Sequence, residues 1–187
     1  DNHSNARRAA ETRGLIIIDA PPSAKGLIWQ GPQYLTTDIP VNQKPSDLAL
    51  ILHTSGTTAK PNRVPLSHAN LLTSAMDIVR SLQLTDADVC LNWMPLFHIH
   101  GLTATLLATI KSGGHIICTE GIEPSRILSQ LTELAPTWYS AVPTMHQAVV
   151  NATVDCIFAH RLRFIRSASS SLPPTLFKAL EQRFNVP

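Results

Sequence analysis

At 187 residues, with 44% apolar and 15% charged side chains, the chain can bury a sizeable core, which excludes intrinsic disorder. A formal charge of +2, with 15 Lys and Arg dispersed along the chain, excludes a nucleic-acid groove or an anionic membrane surface and points to small-molecule partners. Three cysteines, Cys90, Cys118 and Cys156, show no CxxC spacing, which excludes a disulfide framework and a zinc knuckle.

The opening residues DNHSNARRAAETRG carry no apolar leader, and no later run approaches the ~20 apolar residues that cross a bilayer. No membrane span and a reducing, cytoplasmic setting are expected, with a peroxisomal address at a C-terminus left open. Apolar runs then alternate with segments of helical period, which predicts an α/β fold with a mainly parallel sheet and crossover helices. Strands are predicted at Leu15 to Asp19, Leu48 to Thr54, Val89 to Trp93, His115 to Thr119, Thr137 to Val142 and Leu162 to Ser167. Their apolar runs suit strands covered on both faces. The stretch from Ala20 to Asp47 holds five prolines and little periodicity, so it reads as a long surface connection with a short hairpin around WQGPQYL. Helices are predicted from Ser67, a cap for HANLLTSAMDIVRSL, from Ser125 ahead of RILSQLTELA, and from Pro173 and Pro174.

Three segments carry chemistry. HTSGTTAKPNRV follows a strand and is expected to lead into a helix, the place where α/β proteins put binding loops. Thr54, Ser55, Thr57 and Thr58 offer hydroxyls, Gly56 permits close backbone approach, and Lys60 and Arg63 supply charge, a set that suits phosphate oxygens. An ordinary solvated turn has the same composition. The GxxxxGK[ST] phosphate loop is excluded, because no Gly-Lys-Ser/Thr occurs.

In MPLFHIHGL, His98 and His100 stand two apart with no nearby Cys, Asp or Glu, so no metal site is expected; an imidazole lining an organic-acid pocket and a histidine satisfied by backbone groups fit the composition equally. In LRFIRSASSSLPP, Ser169, Ser170 and Ser171 leave room for a flat ring against the backbone, and a serine-rich helix cap explains them equally. Arg166 reads as an ion-pair residue. A Ser-His-Asp hydrolase is disfavoured, because GxSxG is absent.

Taken in order, TSGTTAKPNRV, MPLFHIHGL, TWYSAVPTMHQ and LRFIRSASSSLPP resemble the adenylate-forming, AMP-binding superfamily, and within it the acyl-CoA synthetases of the oxalate-CoA ligase type. The resemblance implies that a small carboxylic acid attacks the α-phosphate of ATP, that pyrophosphate leaves with Mg²⁺, and that coenzyme A then takes the acyl group. It implies that Thr54, Ser55, Gly56, Thr57, Thr58 and Lys60 embrace the β- and γ-phosphates, with Arg63 adding charge. His98 would take the catalytic position between acyl pocket and α-phosphate. Ser169, Ser170 and Ser171 would contact adenine, and His146 would be a packing or gate residue.

Where the superfamily pattern reads TSGTTGxPKGV, this chain has Ala59, Asn62 and Arg63 in place of Gly, Lys and Gly. The sequence ends at FNVP, before the YGxTE segment and the small C-terminal domain that relatives carry. The resemblance therefore implies that residues 1–187 are part of the large N-terminal adenylation domain, unable to form acyl-adenylate alone and prone to self-association through apolar surface. Two other readings stay open: a nucleotide-binding pseudo-enzyme or scaffold, and a peptide-synthetase adenylation domain.

Overall fold

The computed structural model describes residue 8 and residues 11–13, 22–23, 26–27, 43–54 and 62–187. The chain forms two compact units, Asp1–Asn42 and Gln43–Pro187. Within the first, strands β1 (Pro22–Ser23) and β2 (Gly26–Leu27) make a minimal antiparallel pair. The strand expected at Leu15 to Asp19 and the hairpin at WQGPQYL lie outside the described residues.

The second unit opens with β3 (Leu48–Thr54), at the bounds its apolar run predicts. It pairs antiparallel with β4 (Asn62–Ser67), which the sequence reading missed, in a sheet of two strands. This corrects two expectations. The phosphate-loop candidate joins two strands of a hairpin before any helix begins, and β3 is no doubly covered strand, since Leu48 and Ile51 are exposed.

Ser67 ends β4 and caps helix α1 (His68–Leu82) as expected. Its hydroxyl accepts from the Asn70 amide at 3.2 Å while Asn70 Oδ1 accepts from the Ser67 amide at 3.0 Å, so two end donors of the helix are satisfied reciprocally. Gln83, in the left-handed region at φ 51°, stops it.

The remaining strands form one fully parallel sheet in the order β6-β5-β7-β8: β5 (Val89–Asn92), β6 (His115–Cys118), β7 (Trp138–Ala141) and β8 (Phe164–Ser167). Four predicted strands are therefore present, each trimmed by one or two residues. Their crossovers carry α2 (Ala108–Ser112), α3 (Ile127–Glu133) and α4 (Pro143–Thr153), and α5 (Pro174–Phe184) follows β8. Ser125 sits inside a single 3₁₀ turn, Pro124–Arg126, and bonds Glu123, so it is not the cap of α3.

Strand alternation sends Cys90, Trp138 and Phe164 to one face, under Leu84 and Ala108, and Leu91 and Tyr139 to the other, under Ile127, Leu131, Val149 and Leu180. Both faces are covered, as continuous apolar strands require. The fold is α/β, with helices flanking a parallel sheet.

Candidate active site

The chain leaves β5 toward β6 on one side and returns to β7 and β8 on the other. That reversal is a topological switch point, and the crevice beyond the strand C-terminal ends is where such sheets bind ligands. A polar cluster occupies this end of β7 and β8.

Its centre is His100. The segment after β5 curls, and a helix with π-type hydrogen bonding, His100–Leu107, begins within it. Such helices are rare and concentrate at functional sites. Gly101 is required here, because a Cβ would stand 2.4 Å from the Pro95 carbonyl oxygen. The curl buries His100 and leaves His98 exposed, its ring against Phe97 at 4.7 Å between centroids. The two histidines thus part company, and the polar cluster forms around His100, not around the His98 that the motif assigns to catalysis.

His100 Nε2 lies 2.6 Å from Ser140 Oγ on β7, and Nδ1 lies 3.0 Å from Ser169 Oγ beyond β8. Ser140 and Arg166 are register partners on adjacent strands, so their side chains share a face. Arg166 NH1 donates to Ser140 Oγ at 2.9 Å and comes within 3.3 Å of His100 Nε2. Those donors assign Nε2 as an acceptor and place the imidazole proton on Nδ1, donated to Ser169. Burial, helped by the Arg166 charge, lowers the His100 pKa to about 4, so the ring is neutral at pH 7. Burial also lowers the pKa of Arg166 from its usual value.

Among the described residues Arg166 faces no carboxylate. The ion pair expected of it is therefore replaced by a guanidinium held among a neutral imidazole and a serine hydroxyl. The Ser169 hydroxyl, having accepted from His100, keeps its own proton to donate, and Ser169 itself is exposed with a left-handed φ of 73°. A guanidinium and a free hydroxyl at a strand end form an anion-accepting surface. Behind it His146 is fully buried against Tyr139, whose hydroxyl lies 3.3 Å from Nδ1, as a packing residue would be. Burial lowers its pKa to about 4 as well.

The other predicted residues lie apart from this cluster or outside the described set. Ser170 and Ser171 are exposed beyond β8. Thr54 ends β3, and Arg63 lies in β4 opposite His53 and is exposed, so it belongs to a strand and not to the loop. Ser55, Gly56, Thr57, Thr58 and Lys60 fall outside the described residues. Ser140 was missed altogether. Its signal is a polar residue inside the otherwise apolar run TWYSAV, with Arg166 playing the same part in LRFIRS.

No group of three His, Cys, Asp or Glu side chains among the described residues is placed to hold a metal ion. No helix among them is long and apolar enough to cross a membrane.

The chain is an α/β protein with a polar cluster of Ser140, Arg166 and His100 at the switch point of its parallel sheet, the place where such sheets bind ligands. The chain belongs to the AMP-binding enzyme family, whose pattern it matches over residues 1–187. It is 43% identical to an oxalate–CoA ligase of Saccharomyces cerevisiae over 142 residues, which is 76% of this chain and 26% of that protein. It is 31% identical over 189 residues to a sulfoacetate–CoA ligase of Cupriavidus necator, covering 100% of this chain and 37% of the relative. Among solved structures, the O-succinylbenzoate coenzyme A synthetase of Bacillus subtilis in complex with AMP superposes with a TM-score of 0.68 at 28% identity, over 75% of this chain and 29% of that one. The relatives are thus adenylate-forming acyl-CoA synthetases, and the chain spans well under half of their length.

Proposed function

We propose that this protein is an ATP-dependent acid–CoA ligase whose acid carries a second anionic group. In the first step a carboxylate oxygen attacks the α-phosphorus of ATP and pyrophosphate leaves, giving a mixed anhydride. In the second the thiol of coenzyme A loses its proton, its sulfur attacks the acyl carbon, and AMP leaves. An anion must approach an anion, so catalysis is mainly positioning and charge compensation. Thr54, Ser55, Gly56, Thr57, Thr58 and Lys60, with Arg63 flanking them, are assigned to the phosphates. His98 is assigned to the side of the α-phosphate, and Ser169, Ser170 and Ser171 to the edge of the adenine pocket.

The observation that carries the choice of acid is Arg166, held by Ser140 and His100 with no carboxylate partner among the described residues. Guanidinium groups kept from carboxylates inside a cluster of hydroxyls are suited to bind one from a ligand. Two of the acids named in the relatives, oxalate and sulfoacetate, each bear a second anionic group, in keeping with this reading, whereas a third, ferulate, bears one carboxylate. Because the chain spans 26% of the S. cerevisiae relative, the activity is assigned to the whole protein, and residues 1–187 to part of its nucleotide-binding domain.

The test is pyrophosphate release by the full-length protein across mono- and dicarboxylates, with and without coenzyme A. Release with small dicarboxylates, accelerated by coenzyme A, is expected. A clear preference for long or aromatic monocarboxylates would overturn the acid assignment. ATP binding without turnover on any acid would mark a nucleotide-binding protein that has lost its chemistry.

A further inference from the structure

We infer that Asn92 and Thr105 form a buried clamp that positions His100, and through it Arg166, for the second anionic group of the acid, an assignment that rests on the function proposed above. Asn92 is the last residue of β5 and is 1% exposed, and Thr105 is fully buried in the second turn of the π-helix. Neither touches the polar cluster. What they hold is the curl that delivers His100 to it.

The side chain of Asn92 reaches forward over the strand end and closes on Met94. Its Oδ1 accepts from the Met94 amide at 3.2 Å, and its Nδ2 donates to the Met94 carbonyl at 3.1 Å. A donor and an acceptor on one residue are thereby met by an acceptor and a donor on another, a pairing an amide makes and a carboxylate cannot. The same Oδ1 lies 2.9 Å from the Thr105 hydroxyl. That hydroxyl is also 2.5 Å from the carbonyl of Gly101, so its one proton is shared between the strand end and the first turn of the helix. The Gly101 carbon is in turn packed on the Met94 and Pro95 carbonyl oxygens, 2.9 Å and 2.4 Å from where a Cβ would be.

The curl from 94 to 101 is therefore fixed at both ends by one amide and one hydroxyl. His100 precedes Gly101 directly, and its two serine contacts come from different segments, Ser140 on β7 and Ser169 beyond β8. A shift of ~1 Å at the helix start breaks both, and displacements of that size are known to cost about a hundredfold in turnover where orientation matters.

The charged and titratable groups around His100 are Arg166 and His146, neither of them on its own helix. With the clamp intact, this surrounding keeps the ring neutral.

The experiment uses the full-length protein with Asn92→Leu, which keeps the volume and removes the hydrogen bonds, and Thr105→Val, which removes only the hydroxyl. A Thr105→Ser variant serves as the rescue. Expected are a ten- to hundredfold rise in the carboxylate KM in the first two, a smaller rise in the KM for ATP through Ser169, and near-normal kinetics in Thr105→Ser. The double variant should fall well short of the product of the singles, because both act on one element. A second readout needs no turnover: the ring resonances of ¹³C-labelled His100 should begin to titrate nearer the ordinary histidine range in Asn92→Leu and Thr105→Val. Variants that lose thermal stability while keeping wild-type acid kinetics and His100 titration would overturn the clamp. Absence of acid-dependent pyrophosphate release in the wild type would overturn the proposed function, and the His100 titration would still decide the clamp.

Discussion

Replacing Arg166 by Leu removes the guanidinium and leaves Ser140 and His100 in place. Arg166 NH1 sits 2.9 Å from Ser140 Oγ and 3.3 Å from His100 Nε2, so the fork is held in position before any ligand arrives, and little side-chain entropy remains to be lost on binding. A charge-assisted hydrogen bond to an anion contributes about 1.5–3 kcal/mol. The group is partly exposed, so the lower end of that range applies, roughly 2 kcal/mol, which converts to about thirtyfold. The expected result is a loss of that size in kcat/KM for a small dicarboxylate and a much smaller loss for the matching monocarboxylate. Losing the charge also removes one of the two causes that hold His100 low, so any pH dependence arising from His100 should move upward. Arg166→Lys should recover the charge without the fork and fall between. The assay is continuous pyrophosphate release with both acids at matched ATP. An unchanged ratio of the two kcat/KM values in Arg166→Leu would refute the assignment of Arg166 to a second anion.

Arg63→Ala should raise the KM for ATP about tenfold, if one charge-assisted contact to phosphate is lost; unchanged ATP kinetics would remove Arg63 from the phosphate site. Gly101→Ala places a Cβ 2.4 Å from the Pro95 carbonyl oxygen, a backbone atom, so a cost of about 1–3 kcal/mol is expected, and an unshifted urea midpoint would refute the tight approach. Asp88→Ala empties a site where the carboxylate accepts from Thr85, Thr137 and Arg163 at 2.8–3.1 Å. The Arg163 partner is 43% exposed, so solvent screens part of the pair, and a loss of about 2 kcal/mol is expected. Burial alone would raise the Asp88 pKa, but Arg163, Thr85 and Thr137 together hold it below the usual value. A depressed carboxylate contributes stability above its unfolded pKa, near 3.9, and loses it as pH falls through the folded value. The difference between wild type and Asp88→Ala should thus be full at pH 7 and shrink under stronger acid; a difference that grows below pH 4 would contradict the sign.

The frame was legible because its signals are local. LALILHT, VCLN, HIIC, WYSA and FIRS are apolar runs closed by turn residues, and the Ser67 cap is read from three residues in a row. β4 escaped because NRVPLS lacks clean alternation and contains Pro65, which a two-stranded hairpin with open edges tolerates and a central strand does not. The helix at His100 escaped for a different reason. HGLTATLL places a glycine and two β-branched threonines where helix propensity is poor. Thr105 supplies part of what propensity does not, bonding back to the Gly101 carbonyl, and Thr109, in α2, bonds to that of Thr105.

The site was illegible for a reason that follows from the sheet itself. Ser140 and Arg166 are 26 residues apart, and only the pairing of β7 with β8 makes them neighbours. His100 joins them across 40 residues from Ser140 and 66 from Arg166. Each taken singly is an interruption in an apolar run, and an interruption in a buried strand costs free energy unless a partner meets it. Three such interruptions at the same end of three consecutive parallel strands, or just past them, can satisfy one another only at the strand C-terminal ends. Sequence supplied the interruptions, and register supplied their meeting. The polar residue that breaks an apolar strand near its end is therefore the mark by which Ser140 and Arg166 were open to discovery, ahead of the exposed histidine that the motif brought forward.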